Sequence, residues 1–180
     1  MYDISHGRFK QARQIASPNF NERPEDAEVD AIIIHSISMP PGCYDGNDID
    51  HFFCNQLDWE KDPFYDSIRG MEVSAHLLIR RSGELVQYVN LFSRAWHAGP
   101  STLCERENCN DFAIGIELEG TDQSQFEKAQ YETLAEVITA LRQYFPKITK
   151  ERIVGHSDIA PGRKSDPGTG FYWENLFSLL

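Results

Sequence analysis

The sequence is poor in cysteine, and the cysteines that it has form no recognisable motif. Cys43, Cys54, Cys104 and Cys109 include no C-x-x-C pair. A chain of 180 residues with ordinary composition buries a substantial core and does not need disulfides to fold. We therefore predict that all four cysteines are reduced thiols.

The sequence also lacks a long apolar run. No stretch approaches the roughly 18 consecutive apolar residues of a membrane span. The N-terminal segment MYDISHGRFKQARQIASPNFNERP has no apolar stretch after a basic start, as a secretory signal would have. These two absences predict a cytoplasmic protein that has no membrane partner.

Positive charge is scarce relative to negative charge. The sequence has 17 Lys and Arg residues against 28 Asp and Glu residues, so the formal net charge is −11 with neutral histidine. Nucleic-acid binding requires a basic surface, and a polyanionic membrane or cell-wall polymer repels an acidic one. The composition therefore excludes nucleic acid as a partner and leaves small or neutral substrates open.

The length corresponds to about one domain. Residues 17–28 are polar and contain two prolines, so we interpret residues 1–28 as an N-terminal wrap of that domain. Residues 29–180 then form the rest of the same domain. This division has no linker between its two parts.

Apolar periodicity predicts strands interleaved with helices. The predicted strands are Val29–Ile37, Val73–Arg81 joined through Ser82-Gly83 to Glu84–Val89, Asp111–Glu119, and Arg152–His156. The predicted helices are a short one capped by Asp48, a long one from a Ser124/Glu127 capping box to Pro146, and a closing one within Phe171–Leu180. Residues 61–70 are typical of a loop or a single helical turn. We therefore predict a single α/β domain with a mixed central sheet flanked by helices.

Two histidines lie at the ends of predicted strands. His35 ends the first buried strand, and His156 follows Gly155 at the start of a loop rich in glycine and proline. The ends of strands beside irregular loops are where α/β sheets bind ligands. Taken singly, each histidine is more typical of a polar residue near the core than of a metal ligand.

Two further segments carry ionisable side chains in suggestive positions. Lys164 and Asp166 project to the same side of an extended segment, and Pro167 favours that extended conformation; a solvated surface ion pair is the alternative. Glu117 lies on a strand face that it shares with Ala113 and Gly115, whose small size leaves space for a ligand. An exposed strand face with ordinary glutamates is the alternative there.

Together these features indicate more than they do singly. Two imidazoles and one carboxylate suit a three-ligand zinc site that keeps a fourth position for water. A nearby carboxylate can accept the proton of that water, and a lysine can stabilise a developing oxyanion. The histidines form no local signature such as H-E-x-x-H, so the residues alone support a zinc hydrolase hypothesis without a substrate.

Five segments, in the same order along the chain, resemble segments of zinc-dependent N-acetylmuramoyl-L-alanine amidases. They are most similar to the AmpD-type branch of that family, which acts on 1,6-anhydro-N-acetylmuramoyl peptides. The segments are IIIHSISMPPG, VSAHLLIRRSGELVQYV, RAWHAG, NCNDFAIGIELEGTD and VGHSDIAPGRKSDPG. The similarity extends from about Ser17 to Phe171. It implies a mixed sheet flanked by helices, as in peptidoglycan recognition proteins, and makes residues 29–180 a zinc amidase domain.

The resemblance assigns roles to the residues that the chemistry singled out. It implies that His35, His156 and Asp166 bind Zn²⁺, that Glu117 accepts the proton of the attacking water, and that Lys164 stabilises the transition state. The implied reaction is hydrolysis of the amide between the lactyl group of anhydromuramic acid and L-alanine, in cytoplasmic recycling of wall fragments. The implied partner is a small muropeptide, and we expect a monomer.

The matching segments also suggest residues that contact the substrate. The resemblance places Trp96 and Ala98 along the sugar-peptide groove, although Trp96 also suits the core. His76 and His97 are better suited to structural or substrate-lining use than to metal binding, because the three-ligand set is already complete.

Two positions depart from the family pattern. Similar proteins carry an arginine directly before V-S-A-H and another before C-N-D, and this sequence has Glu72 and Asn108 there. Arg69 and Arg106 lie nearby in the sequence, and we expect them to bind the peptide carboxylates instead.

Two other functions are compatible with the same fold. One is a non-catalytic muropeptide-binding module, which would need neither water activation nor oxyanion stabilisation. The other is an exported amidase that acts on intact peptidoglycan, which the acidic charge and the missing signal disfavour.

Overall fold

The computed structural model describes residues 2–180. The strands are β1 (Ile4–Ser5), β2 (Arg8–Phe9), β3 (Arg13–Gln14), β4 (Phe20–Asn21), β5 (Ala31–Ile37), β6 (Leu77–Ile79), β7 (Leu85–Gln87), β8 (Arg94–Ala95), β9 (Thr102–Leu103), β10 (Arg106–Glu107), β11 (Ala113–Glu119) and β12 (Ile153–Gly155). The α-helices are α1 (Asp48–Phe53), α2 (Lys128–Tyr144), α3 (His156–Ile159) and α4 (Trp173–Phe177). Short 3₁₀ helices cover Pro63–Ile68, Cys109–Asp111 and Lys150–Arg152.

Six strands form one mixed sheet in the order β12-β5-β11-β6-β7-β3. The four strands from β12 to β6 are parallel, whereas β6 and β7 form an antiparallel hairpin. The predicted hairpin is therefore confirmed, and Gly83 in its turn has a φ of +87°. The predicted single α/β domain with a mixed sheet flanked by helices is confirmed as well.

The centre of the sheet is formed by β5 and β11, which pair in parallel along their whole length. All seven residues of β11 and the first five residues of β5 are buried. Their β-branched side chains suit a strand that is covered on both faces. The register places Glu117 directly opposite His35, and this pairing positions the functional site.

The long helix α2 covers one face of the sheet. Leu134, Val137, Ile138 and Leu141 recur at helical spacing and are all fully buried in the core that they share with β5 and β11. The other face is covered by α1 and the 3₁₀ helix at Pro63–Ile68, which form a second apolar cluster with β6 and β7. Among residues 2–180, no helix is both long and apolar enough to cross a membrane.

Two predicted helix caps were wrong. The cap of α2 is Glu127 rather than Ser124, and the residue before α1 is Asn47 rather than Asp48. The capping box of α2 consists of Glu127 and Gln130, because Ser124 is engaged in a turn with Thr121. The first helix is preceded by Asn47, and Asp48 is its first residue. The Asp48 carboxylate does not cap the helix because it is bound by Lys61 and the Tyr65 hydroxyl.

The predicted strand Arg152–His156 was too long. The strand ends at Gly155, and His156 begins α3, a single helical turn at the start of the predicted loop. The Asp158 carboxylate accepts a hydrogen bond from the Gly155 N–H at 2.7 Å and so stabilises this turn. The four cysteines are free thiols.

Candidate active site

A cleft of about 230 Å³ opens at the carboxyl ends of β5, β11 and β12. Its polar part is lined by His35, His97, Glu117, His156, Lys164 and Asp166. Its other part is an apolar wall that includes Phe52, Phe64, Ile68, Met71, Val73 and Trp96. The carboxyl ends of neighbouring parallel strands meet at one edge, which explains why side chains distant in sequence converge here.

Three potential metal-ligand atoms converge in the polar part of the cleft. His35 Nδ1 lies 3.0 Å from His156 Nδ1 and 3.1 Å from Asp166 Oδ2, and His156 Nδ1 lies 3.0 Å from the same oxygen. Both histidines are almost completely buried. Among residues 2–180, this is the group of at least three His, Cys, Asp or Glu side chains arranged to hold a metal ion.

The electrostatics of this group favour a neutral imidazole at His35 and an ionised carboxylate at Asp166. Burial lowers the pKa of His35 to about 4, although Asp166 opposes that effect. Burial alone would raise the pKa of Asp166, but its close contacts with the rings of His156 and His35 hold it well below its ordinary value. Unprotonated nitrogens and a carboxylate are the forms that coordinate a cation.

The loop that carries Lys164 and Asp166 is fixed by Asp122. The Asp122 carboxylate accepts hydrogen bonds from Ser165 and, at 3.3 Å, from Ser36, which adjoins His35. Its carbonyl accepts the Gly170 N–H at 2.9 Å. Asp122 therefore joins the end of β5 to the loop that supplies the third potential ligand.

Glu117 is the buried carboxylate beside the three potential ligands. Its side-chain atom Oε2 is buried without a hydrogen-bond partner. Burial and, next, the charge of Asp166 raise the pKa of Glu117 well above its ordinary value, and Lys164 opposes them. A carboxyl group with a raised pKa in a cleft is typical of a proton-transfer site.

The predicted open space beside Glu117 is occupied. A Cβ atom built on Gly115 would lie 2.4 Å from Cγ of His97, so the imidazole of His97 fills the space that the missing side chain leaves. Burial lowers the pKa of His97 well below its ordinary value. The expectation that the small residues leave room for a ligand was wrong at Gly115, because a neighbouring loop supplies this ring.

Of the residues predicted to contact substrate, the structure places Trp96 in the cleft lining and buries Ala98 and His76. Trp96 lines the cleft, and its Nε1–H donates to Asn21 Oδ1 at 2.8 Å. Ala98 is fully buried, so its methyl group cannot form part of the groove surface. His76 is also fully buried, and its ring contacts the Gly115 N–H and the Ser93 carbonyl, each at 3.0 Å.

The two arginines predicted to bind carboxylates lie outside the cleft lining. Arg69 follows Ile68 of the apolar wall, but its guanidinium is paired with Glu60 and Asp66. Arg106 pairs with Asp30 at 2.5 Å and stacks on the Phe112 ring. Within residues 2–180, Lys164 is the one Lys or Arg that lines the cleft.

Sequence reasoning missed three residues that support the site. Asp122 fixes the 164–170 loop, Asn110 accepts hydrogen bonds from the His97 and Ala98 N–H groups, and Arg163 donates to the Ala98 carbonyl at 2.6 Å. Each acts through backbone groups or across long sequence separations. Asn110 lies inside the segment NCNDFAIGIELEGTD, but no periodicity indicates what it binds.

Comparison with known proteins gives one consistent result. Residues 25–169 match the family model of N-acetylmuramoyl-L-alanine amidase. The 1,6-anhydro-N-acetylmuramyl-L-alanine amidase AmpD of Haemophilus influenzae is 49% identical, with 99% of this chain and 97% of that protein covered.

Solved structures agree with the sequence matches. A selenomethionine crystal structure of AmpD has a TM-score of 0.96 at 45% identity, and 98% of each chain is covered. AmpDh3 from Pseudomonas aeruginosa in complex with anhydromuramic pentapeptide has a TM-score of 0.62 at 26% identity, with 91% of this chain and 65% of that chain covered. The chain belongs to the N-acetylmuramoyl-L-alanine amidase family.

Proposed function

We propose that this amidase uses Zn²⁺, held by His35, His156 and Asp166, to cleave the amide between the lactyl group of 1,6-anhydro-N-acetylmuramic acid and L-alanine. The observation that carries this proposal is the convergence of three ligand atoms, 3.0–3.1 Å apart, beside a buried glutamate and a lysine. In a tetrahedral zinc site with ordinary bond lengths, neighbouring ligand atoms lie about 3.3 Å apart. The donor set and its spacing therefore fit zinc.

Bound zinc would supply a Lewis acid and bring the pKa of a water molecule close to neutrality. The protein has to move the proton of the attacking water, and Glu117 is suited to do so. Because its pKa is raised and Oε2 has no partner, the carboxylate can accept that proton and then deliver it to the departing alanine nitrogen. Water oxygen bonds to the lactyl carbon as the carbon–nitrogen bond breaks.

Lys164 is suited to stabilise the negative charge that develops on the lactyl oxygen. It is the cation of the cleft lining, and the 164–170 loop that carries it is held by Asp122. A positioned cation stabilises such a charge more in the transition state than in the substrate. Glu117 and Lys164 would therefore divide proton transfer and charge stabilisation between them.

The names of the relatives suggest the substrate class. The Haemophilus influenzae relative is named for 1,6-anhydro-N-acetylmuramyl-L-alanine, and the AmpDh3 structure contains an anhydromuramic pentapeptide. The apolar wall with Trp96 suits the uncharged part of such a substrate. For Arg69 to bind peptide carboxylates, it would have to leave Glu60 and Asp66, whereas Arg106 faces another part of the surface.

We further propose that the protein acts as a monomer on small, soluble wall fragments in cytoplasmic recycling. The net charge of −11 supports this proposal, because an acidic body is repelled by polyanionic wall polymers. It also means that zinc and Lys164 would have to attract the carboxylates of the fragment against the overall charge.

The decisive experiment offers anhydromuramoyl-tripeptide to the purified protein with and without a chelator, and measures free peptide by mass spectrometry. We expect chelator-sensitive release by the wild type and by His51→Ala, a control at an exposed histidine, and none by His156→Ala. Binding without release would support a binding module, and release that resists the chelator would contradict the zinc proposal. Equal release from intact sacculi would favour an exported amidase.

A further inference from the structure

The segment His97–Ala98 contacts both potential histidine ligands on the side away from the three converging atoms. We propose that this segment is a shared outer support that orients His35 and His156 for the metal, and that Asn110 fixes its position. This inference rests on the proposed function, because it assumes that the two histidines bind the metal. It adds two positioning residues, His97 and Asn110, to a site defined so far by its ligands.

The contact to His156 determines which nitrogen of that ring can bind a metal. His156 Nε2 lies 2.9 Å from the Ala98 carbonyl oxygen, which can only accept a hydrogen bond. The proton of the neutral ring therefore resides on Nε2, and the lone pair on Nδ1 points to His35 Nδ1 and Asp166 Oδ2. Second acceptors of this kind fix the orientation of metal-binding imidazoles.

The contact to His35 works in the same way through a side chain. His35 Nε2 lies 3.0 Å from His97 Nδ1. When His35 Nδ1 serves as a ligand, its Nε2–H donates to His97 Nδ1, and His97 carries its own proton on Nε2, a buried atom without a hydrogen-bond partner. The two potential ligands thus have acceptors from adjacent residues of one short segment, one from a ring and one from a carbonyl.

The position of the segment is set from two sides. Asn110 is almost fully buried, and its Oδ1 accepts the His97 N–H at 3.1 Å and the Ala98 N–H at 2.8 Å. Gly115 on β11 provides the room for the His97 ring, since a Cβ there would lie 2.4 Å from Cγ of that ring. The Asn110 amide oxygen therefore positions both acceptors, and the missing side chain of Gly115 makes room for the His97 ring.

Substitutions at His97 separate this role from simple packing. His97→Leu introduces an apolar side chain of similar size that has no acceptor, whereas His97→Asn keeps an acceptor oxygen on Cγ, where Nδ1 is attached. We expect His97→Leu to bind Zn²⁺ about 10–100-fold more weakly than the wild type, by competition with a chromophoric chelator. We expect His97→Asn and the exposed control His51→Leu to bind within a few-fold of the wild type.

Other outcomes would overturn the inference. It fails if His97→Leu binds Zn²⁺ as tightly as the wild type, or if His97→Asn is as weak as His97→Leu. A wild type that binds no Zn²⁺ would instead overturn the metal site, and this inference with it. Thermal unfolding of the zinc-free variants identifies any loss that comes from folding.

A measurement on the unmodified protein tests the same point without a variant. Nitrogen-15 NMR of the zinc-loaded protein reports which ring nitrogen of each histidine carries the proton. We expect the proton on Nε2 of both His35 and His156. A proton on Nδ1 of either ring would contradict the proposed support.

Discussion

Two buried glutamates on β11 have opposite surroundings, although only one residue separates them. The side chains of Glu117 and Glu119 project from the same face of the strand, and both are largely buried. Glu119 accepts hydrogen bonds from the Arg80 guanidinium at 3.1 Å and from the Arg81 N–H at 3.0 Å. Glu117 has a buried oxygen without any partner.

The difference distinguishes a carboxylate whose charge is paired from one that keeps an unpaired buried oxygen. Around Glu119, the Arg80 guanidinium also pairs with Asp50 at 2.8 Å, so that each charge in the cluster has a partner. An unpaired buried oxygen contributes nothing to folding and is costly to keep. Glu117 keeps such an atom at the edge of the cleft, which supports its proposed role in proton transfer.

The largest expected effect is that of Glu117→Gln. The amide cannot accept a proton, so we expect kcat to fall about 10²–10⁴-fold. Zinc content and the midpoint of thermal unfolding should not fall, because no hydrogen bond to Oε2 is lost. Peptide release measured by mass spectrometry, with metal analysis of the same sample, tests this. Near-normal turnover in zinc-loaded protein would remove the distinction between the two glutamates.

The next largest effect is expected from Arg80→Met, at the other glutamate. It leaves Glu119 buried without its cation and leaves Asp50 with only the partly exposed Arg13, so we expect the fold to be destabilised by about 3–5 kcal/mol. The activity of the folded protein should change little, because Arg80 does not line the cleft. Chemical unfolding measures the loss, with Arg69→Met as a control at an exposed ion pair that should change stability far less. A selective loss of activity would contradict a purely structural role.

Lys164→Met should lower kcat about 10²–10³-fold by removing the cation that faces the developing charge. Because Lys164 is not among the three potential metal ligands, zinc affinity should remain near that of the wild type. Steady-state kinetics combined with zinc titration separates the two effects. Loss of zinc together with activity would indicate that Lys164 maintains the loop that carries Asp166 rather than stabilising the developing negative charge.

The smallest expected effect concerns His76, a buried histidine whose two ring nitrogens both have partners, as Glu119 has. Burial lowers its pKa from 6.5 to about 3, and Arg23 adds to this effect. The unfolded chain therefore binds the proton more readily, so this contribution to stability is present above pH 6.5 and is lost as the pH falls towards 3.

We expect this term to remove about 2 kcal/mol of stability between pH 7 and pH 5. His76→Gln should abolish that part of the pH dependence, which urea unfolding of both proteins at the two pH values measures. If the two proteins lose the same stability on acidification, His76 is not held neutral by the fold.

The sequence predicts the parts of this molecule that rest on local patterns. β-Branched runs indicate β5 and β11, and the resemblance of VGHSDIAPGRKSDPG indicates His156, Lys164 and Asp166. The two strands are confirmed because they depend on periodicity, and the three residues of the contiguous motif all line the cleft, while their roles stay a prediction. The helix starts are less predictable, since Ser124 and Asp48 have capping chemistry but are engaged by other residues.

The support of the site is not visible in the sequence for a physical reason. Asn110 acts on the backbone of residues 97 and 98, and Asp122 acts on Ser165 and Gly170, all through contacts between segments distant in the chain. Gly115 has no side chain, and the His97 ring from another loop occupies the space that a side chain would need. Such complementarity arises only when the sheet has brought the loops together.

The parallel register of β5 and β11 has a consequence for variation in the core. Glu117 lies opposite His35, and a slip of β11 by one residue would turn Glu117 towards α2 and bring Leu118 to the cleft side. The spacing between the proposed proton carrier and a potential metal ligand is therefore maintained by Ile32, Ile34 and Ile116, which pack under α2. Substitutions among these isoleucines can lower turnover although none of them reaches the cleft.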